Sequence, residues 1–130
     1  MILNYKECME RFGSDYMIKK EIKAGKLFQK GKGLYSDEDF CLELELVVAK
    51  YPRAVFARES AYYYYGLTDV IPDYYFLATK RGDTRIKDKR IKQTFVNDDL
   101  FEFGACEIEY QNIKIPIYSK ERLLVDLVRL

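Results

Sequence analysis

Histidine and tryptophan are both missing from the 130 residues. Without an imidazole the chain holds no Ser-His or Cys-His nucleophile pair, no Cys/His zinc site and no imidazole acid–base. Cysteine is scarce: Cys8, Cys41 and Cys106 are odd in number and far apart. That pattern argues for reduced thiols that pack as small hydrophobes in a cytoplasmic protein. Three prolines and seven glycines leave no composition for a long flexible linker. The N-terminus lacks a charged-then-apolar leader, and no apolar run approaches the roughly 20 residues a membrane helix requires. No membrane partner is expected.

Apolar residues make up 48% of the chain, with twelve Tyr and eight Phe, enough for a core in one ordinary domain or in a small one beside a modest one. Net charge is only +1, yet its distribution is uneven. Residues 1–35 hold eight Lys/Arg against four Asp/Glu, and KKEIKAGKLFQKGKGLY (19–35) packs six lysines beside one acid. KRGDTRIKDKRIK (80–92) is a second basic island, with seven positive residues against two negative. Charge gathered in patches points to partners.

Periodicity predicts a short helix over 5–12, where Tyr5, Cys8, Met9 and Phe12 form one stripe. Asn4 is its N-cap, Glu7 completes a capping box, and Gly13 stops it. Ser14 caps a second helix over 15–24, with Met17, Ile18 and Ile22 inward, Tyr16, Lys19, Lys20 and Lys23 outward, and Gly25 as its left-handed stop. Leu27-Phe28-Gln29 and Leu34-Tyr35 flank Lys30-Gly31-Lys32-Gly33 as a basic hairpin. Helix, tight turn, helix and basic hairpin is the order of a winged helix-turn-helix. A helix over 37–50 is expected next, with Asp37, Glu38 and Asp39 complementing its dipole.

Further on, a short strand at 55–57, a helix over 59–65, strands at 75–79 and 91–96, and a hairpin of 106–110 with 113–118 around Gln111-Asn112 are expected. Ser119 then caps a last helix carrying Leu123, Leu124, Leu127 and Val128 on one face. The expected fold class is α+β: a winged helix-turn-helix-like unit over 1–36, then a small mixed α/β domain with antiparallel hairpins over 37–130. The abrupt stop of the last helix suggests a piece of a longer protein, truncated within its second domain.

Three segments resemble the AbiEi-type antitoxins of type IV toxin–antitoxin (abortive-infection) systems of bacteria. They are KAGKLFQKGKGLYS (23–36), YPRAVFARESAYYYYGLTDVIPDYYFLATKRG (51–82) and IPIYSKERLLVDLVR (115–129), the last with its E-R-x-x-x-D helix. The resemblance implies a bacterial cytoplasmic protein with a DNA-binding N-terminus and an antitoxin domain. Such a protein represses its own operon at inverted repeats, as a homodimer would, and antagonises a nucleotidyltransferase-like toxin. The chain departs from the family in lacking room for a further leading helix and in carrying Tyr65 where relatives often have His.

The candidate contacts to double-stranded DNA are therefore Tyr16, Lys19, Lys20 and Lys23 on the second helix and Lys30 and Lys32 on the hairpin. The plain alternative is a solvated lysine face with an ordinary turn. No Arg, Asn or Gln stands on that face for bidentate base reading, so phosphate contacts dominate the expected affinity. Lys80, Arg81, Arg85, Lys87, Lys89 and Arg90 offer a second basic surface, or else a charged loop between strands. Tyr62, Tyr63, Tyr64 and Tyr65 either pack against the neighbouring sheet or meet a partner.

No catalytic residue, metal or cofactor is expected. Asp98, Asp99, Glu102, Glu107, Glu109 and Lys114 fit no metal-nuclease spacing, and Glu107 with Glu109 reads as the wet face of a strand. A protein-interaction module without nucleic-acid binding, built on the tyrosines and the last helix, is the alternative function.

Overall fold

A reciprocal cap starts the first helix: Glu7 N donates to Asn4 Oδ1 (2.8 Å) and Asn4 N donates to Glu7 Oε1 (3.0 Å). The computed structural model describes residues 1–129. Among these the chain is α+β, with helices and two sheets that include antiparallel hairpins. It divides into compact units of Met1–Pro52 and Arg53–Leu130, later than a boundary after Ser36.

The first unit runs β1 (Ile2–Asn4), α1 (Tyr5–Phe12), α2 (Asp15–Lys23), β2 (Phe28–Gly31), β3 (Leu34–Ser36) and α3 (Glu43–Lys50). Gly13 ends α1 at φ 89°, in the left-handed region that glycine reaches without a Cβ clash. Ser14 Oγ at once accepts Met17 N (3.2 Å) to open α2. A two-residue joint so tight makes the helices neighbours, and Cys8, Met9 and Phe12 meet Ile18 and Ile22. Leu3, Leu27 and Tyr35 close this core from the strands. The sheet is antiparallel in the order β1-β3-β2, with Leu3 opposite Tyr35 and a bulge between Gln29 and Gly31.

Residues 37–42 are not helical, contrary to the expectation of one helix over 37–50. Their carboxylates have partners elsewhere. The Met1 ammonium donates to Asp37 Oδ1 (3.1 Å) and lies 3.8 Å from Glu38, and Lys30 Nζ lies 3.6 Å from Asp39 Oδ1. The helix starts only where Leu44 and Val47 can be buried.

The second unit runs β4 (Val55–Phe56), α4 (Arg58–Tyr64), β5 (Tyr75–Lys80), β6 (Ile91–Val96), α5 (Asp98–Phe101), β7 (Ala105–Tyr110), β8 (Ile113–Tyr118) and α6 (Lys120–Arg129). Its mixed sheet has the order β6-β5-β4-β8-β7, with β5/β6 and β4/β8 parallel and β4/β5 and β7/β8 antiparallel. Gln111 and Asn112 turn the β7–β8 hairpin with φ of 50° and 65°, the paired positive values of a primed turn. Ser60 ties α4 to the start of β5, accepting Phe76 N (2.9 Å) and donating to Tyr74 O (3.3 Å). Phe56, Leu77, Ile115, Ile117 and Tyr118 form the floor of the core.

Arg122 is 5% exposed, a cation almost removed from water. Its Nε donates to Asp126 (3.0 Å), and its Nη1 donates to Leu100 O (2.6 Å) and Phe103 O (2.5 Å). The guanidinium also lies 4.4 Å from the Tyr118 ring centroid, and the Tyr118 hydroxyl donates to Phe101 O (2.7 Å). Gly104 lets this corner close: a Cβ there would stand 2.6 Å from Arg122 Cβ. The apolar stripe of α6 divides, with Leu123 buried but Leu124, Leu127 and Val128 exposed.

Replacing Arg122 by Ala strands a carboxylate and two carbonyls. It is expected to destabilise the chain by about 3 kcal/mol, read by urea denaturation. Asp126→Asn, at a half-exposed carboxylate, is expected to cost clearly less; equal losses would show that the ion pair, and not the buried guanidinium, holds the corner.

Candidate nucleic-acid interface

Helix α2 turns its apolar side to Cys8 and Leu27 through Ile18, so Tyr16, Lys19, Lys20 and Lys23 all stand in solvent. Tyr16 is 73% exposed, free to stack or to donate a hydrogen bond. Lys19 Nζ is held 3.1 Å from Asp15 Oδ2 one turn back, a surface pair of the weak i,i+4 type. Lys20 and Lys23 have no carboxylate partner among the described residues, and they occupy the last turn of α2, where cations also complement the helix dipole.

The hairpin lysines differ from each other. Lys32 is exposed beside Gly33, whose φ of 72° makes the turn. Lys30 folds back instead: its side chain is 16% exposed, its Nζ donates to Asp39 O and pairs with the Asp39 carboxylate, and it lies 5.4 Å from the Phe28 ring centroid. The sequence offers the two as equivalent. Lys26, outside the candidates named from the sequence, is exposed just after Gly25 and has no carboxylate partner among the described residues. Its place directly after the left-handed helix stop was the available signal. The unpaired cations on α2 and its hairpin are therefore Lys20, Lys23, Lys26 and Lys32.

The second basic island is a loop joining the parallel β5 and β6. Gln93 organises it, accepting Ile86 N (2.7 Å) and donating to Thr79 Oγ1 (2.7 Å) and Thr84 O (3.3 Å). Arg90 is clamped on Asp88 through Nε (3.1 Å) and Nη2 (2.8 Å), and half-buried Lys80 lies 5.9 Å from the Phe101 ring centroid. Arg81, Arg85, Lys87 and Lys89 are exposed.

The four tyrosines are all partly covered. Tyr64 packs edge-on to Phe56 (5.5 Å between centroids) and against Tyr110 (4.9 Å), and burial pushes its phenol well above the usual tyrosine range. Tyr65 donates to Tyr118 O (2.9 Å), with Lys120 over its ring. Tyr63 stacks edgewise on Tyr64 (5.9 Å), and Tyr62 lines surface clefts. The run is thus largely an internal packing feature. Among the described residues no three His, Cys, Asp or Glu side chains group as metal ligands, and no helix is long and apolar enough to cross a membrane.

No family model matches the chain, and no curated protein matches it either.

Acidic residues border the hairpin, and their pairing titrates. The hydrogen bond with the Met1 ammonium, more than any other influence, holds the Asp37 carboxyl below the ordinary carboxylate range and raises the Met1 amine. The lowered carboxyl stabilises the fold above about pH 4 and loses that effect as pH falls through its depressed value. The raised amine stabilises below about pH 8 and loses it as pH rises through its elevated value. Asp37→Asn is expected to return the Met1 amine toward its ordinary range in an NMR titration. An amine that does not move would show the pair to be absent in solution.

Proposed function

We propose that this chain is a cytoplasmic, DNA-binding transcriptional autoregulator and antitoxin of the type IV toxin–antitoxin kind. In this reading Met1–Pro52 contains a winged helix-turn-helix-like unit, with α2 as recognition helix and the β2–β3 hairpin as wing. The strand–helix–turn–helix–hairpin succession and the β1-β3-β2 sheet order support it. The observation that carries it is the set Lys20, Lys23, Lys26 and Lys32, unpaired cations following one another along α2, its end and the hairpin turn.

Phosphate neutralisation is what such a set does best, and ammonium groups discriminate bases poorly. Specificity then comes from the spacing of two half-sites read by a homodimer at inverted repeats, or from DNA shape. The segments resembling AbiEi-type antitoxins extend the reading to antagonism of a nucleotidyltransferase-like toxin. A second reading, a protein-interaction module, is favoured by one observation: Leu124, Leu127 and Val128 of α6 are exposed, as are Leu67, Val70 and Ile71.

A gel-shift salt series on the DNA upstream of the chain's own reading frame tests the proposal. Log affinity is expected to fall linearly with log salt, and Lys20→Ala, Lys23→Ala or Lys32→Ala each to reduce the slope by about 0.9. Lys19→Ala and Lys30→Ala, whose charges are already paired, are expected to change it less. Binding indifferent to salt, or none, refutes the DNA reading; a partner complex that survives all the lysine changes supports the interaction module.

A further inference from the structure

The C-terminal unit holds a cleft of about 440 Å³ whose polar lining is dominated by arginine. Arg58, Arg81, Arg122 and Arg129 all reach it, and Asp126 is the one acid among its described lining residues. Asp126 and Arg122 satisfy each other, which removes both from the balance. Arg81 and Arg129 are exposed and have no carboxylate partner among the described residues. Arg58 has only a loose one, its Nε 3.5 Å from Glu59 Oε2, and its backbone is held at φ 51°, a region unusual for a residue with a Cβ.

The rest of the lining is of a different kind. Ala78, Val96 and Leu127 give an apolar wall, and Tyr62 supplies an aromatic ring. Asn97 and Thr94 add groups that both donate and accept hydrogen bonds. The cleft lies at the C-terminal ends of the parallel strands β5 and β6, through Arg81 and Asn97. Ligands of α/β sheets commonly bind at such ends. Its size falls in the range of small-molecule pockets, roughly 300–1,000 Å³.

We propose that this cleft binds a nucleoside monophosphate, with its phosphate between Arg81 and Arg129, assisted by Arg58, and its base against the apolar and aromatic wall. Guanidinium is the side chain best shaped to grip phosphate through two parallel hydrogen bonds. The wall offers the flat ring a surface that a bare anion would not use. The cleft belongs to Arg53–Leu130 and the lysines of α2 to Met1–Pro52, and this proposal does not depend on DNA binding.

Calorimetric titration of the whole chain with AMP, GMP, CMP and UMP tests this, with inorganic phosphate, adenosine and a 5′-phosphorylated single-stranded oligonucleotide as further arms. At least one monophosphate is expected to bind, with inorganic phosphate and adenosine each weaker by about tenfold or more. Arg81→Ala and Arg129→Ala are each expected to loosen it about tenfold, and Arg81→Lys to restore only part of the loss, while Lys20→Ala leaves it unchanged. Both arginines are exposed, so circular dichroism should show these variants folded. The proposal fails if none of the four monophosphates binds or if inorganic phosphate binds equally well. It also fails if only the oligonucleotide binds, or if both alanine variants bind as the parent does.

Discussion

A guanidinium buried beneath a helix imposes conditions on everything around it. Arg122 is almost removed from water, so Asp126 one turn on, the short α5 and the turn before Gly104 must bring acceptors to it, and Tyr118 of β8 lays its ring against it. Three separate pieces of chain, 100–104, 118–119 and 122–126, are thereby fixed to one point. Desolvation of an unmatched charge would cost several kcal/mol, so the corner forms completely or not at all. The arginine cleft depends on this too, because Asp126 would otherwise be available to neutralise its neighbours.

In the first unit, charge is sorted rather than merely concentrated. Acids from 37–39 take the Met1 ammonium and Lys30, and Asp15 takes Lys19. The first two pairings tie the start of β1 and the hairpin to 37–39, and together the three leave a smaller set of cations open to a ligand. A near-neutral total of +1 with a patterned surface fits the proposed contact with a polyanion at one face only.

Local signals were the legible ones. The capping box at Asn4 and Glu7, the serine cap of α2, the left-handed glycines and the Gln111-Asn112 turn each follow from chemistry within four residues, and each is present. Strands β6 and β8 likewise follow from β-branched and aromatic runs. What escaped depended on distant partners. Strand β1 is three residues whose reason for existing is β3, more than thirty positions away. The expected helix over 37–50 is missing its first six residues, whose acids contact Met1 and Lys30 in a way that no periodicity encodes. Short α5 carries no period at all, and its role as an acceptor for Arg122 is invisible until the fold is formed. At the candidate site the exposed lysines of α2 were readable from helical spacing, whereas the internal tether on Lys30 was not.

The five-stranded sheet ends on β6 at one side and β7 at the other. The first border carries Lys92 beside the basic loop, and the second carries Glu107 and Glu109 in the open. Side chains of like charge on each border oppose pairing of two matching borders, so any edge-to-edge contact between copies would join unlike borders, head to tail. Such head-to-tail contact does not close on itself.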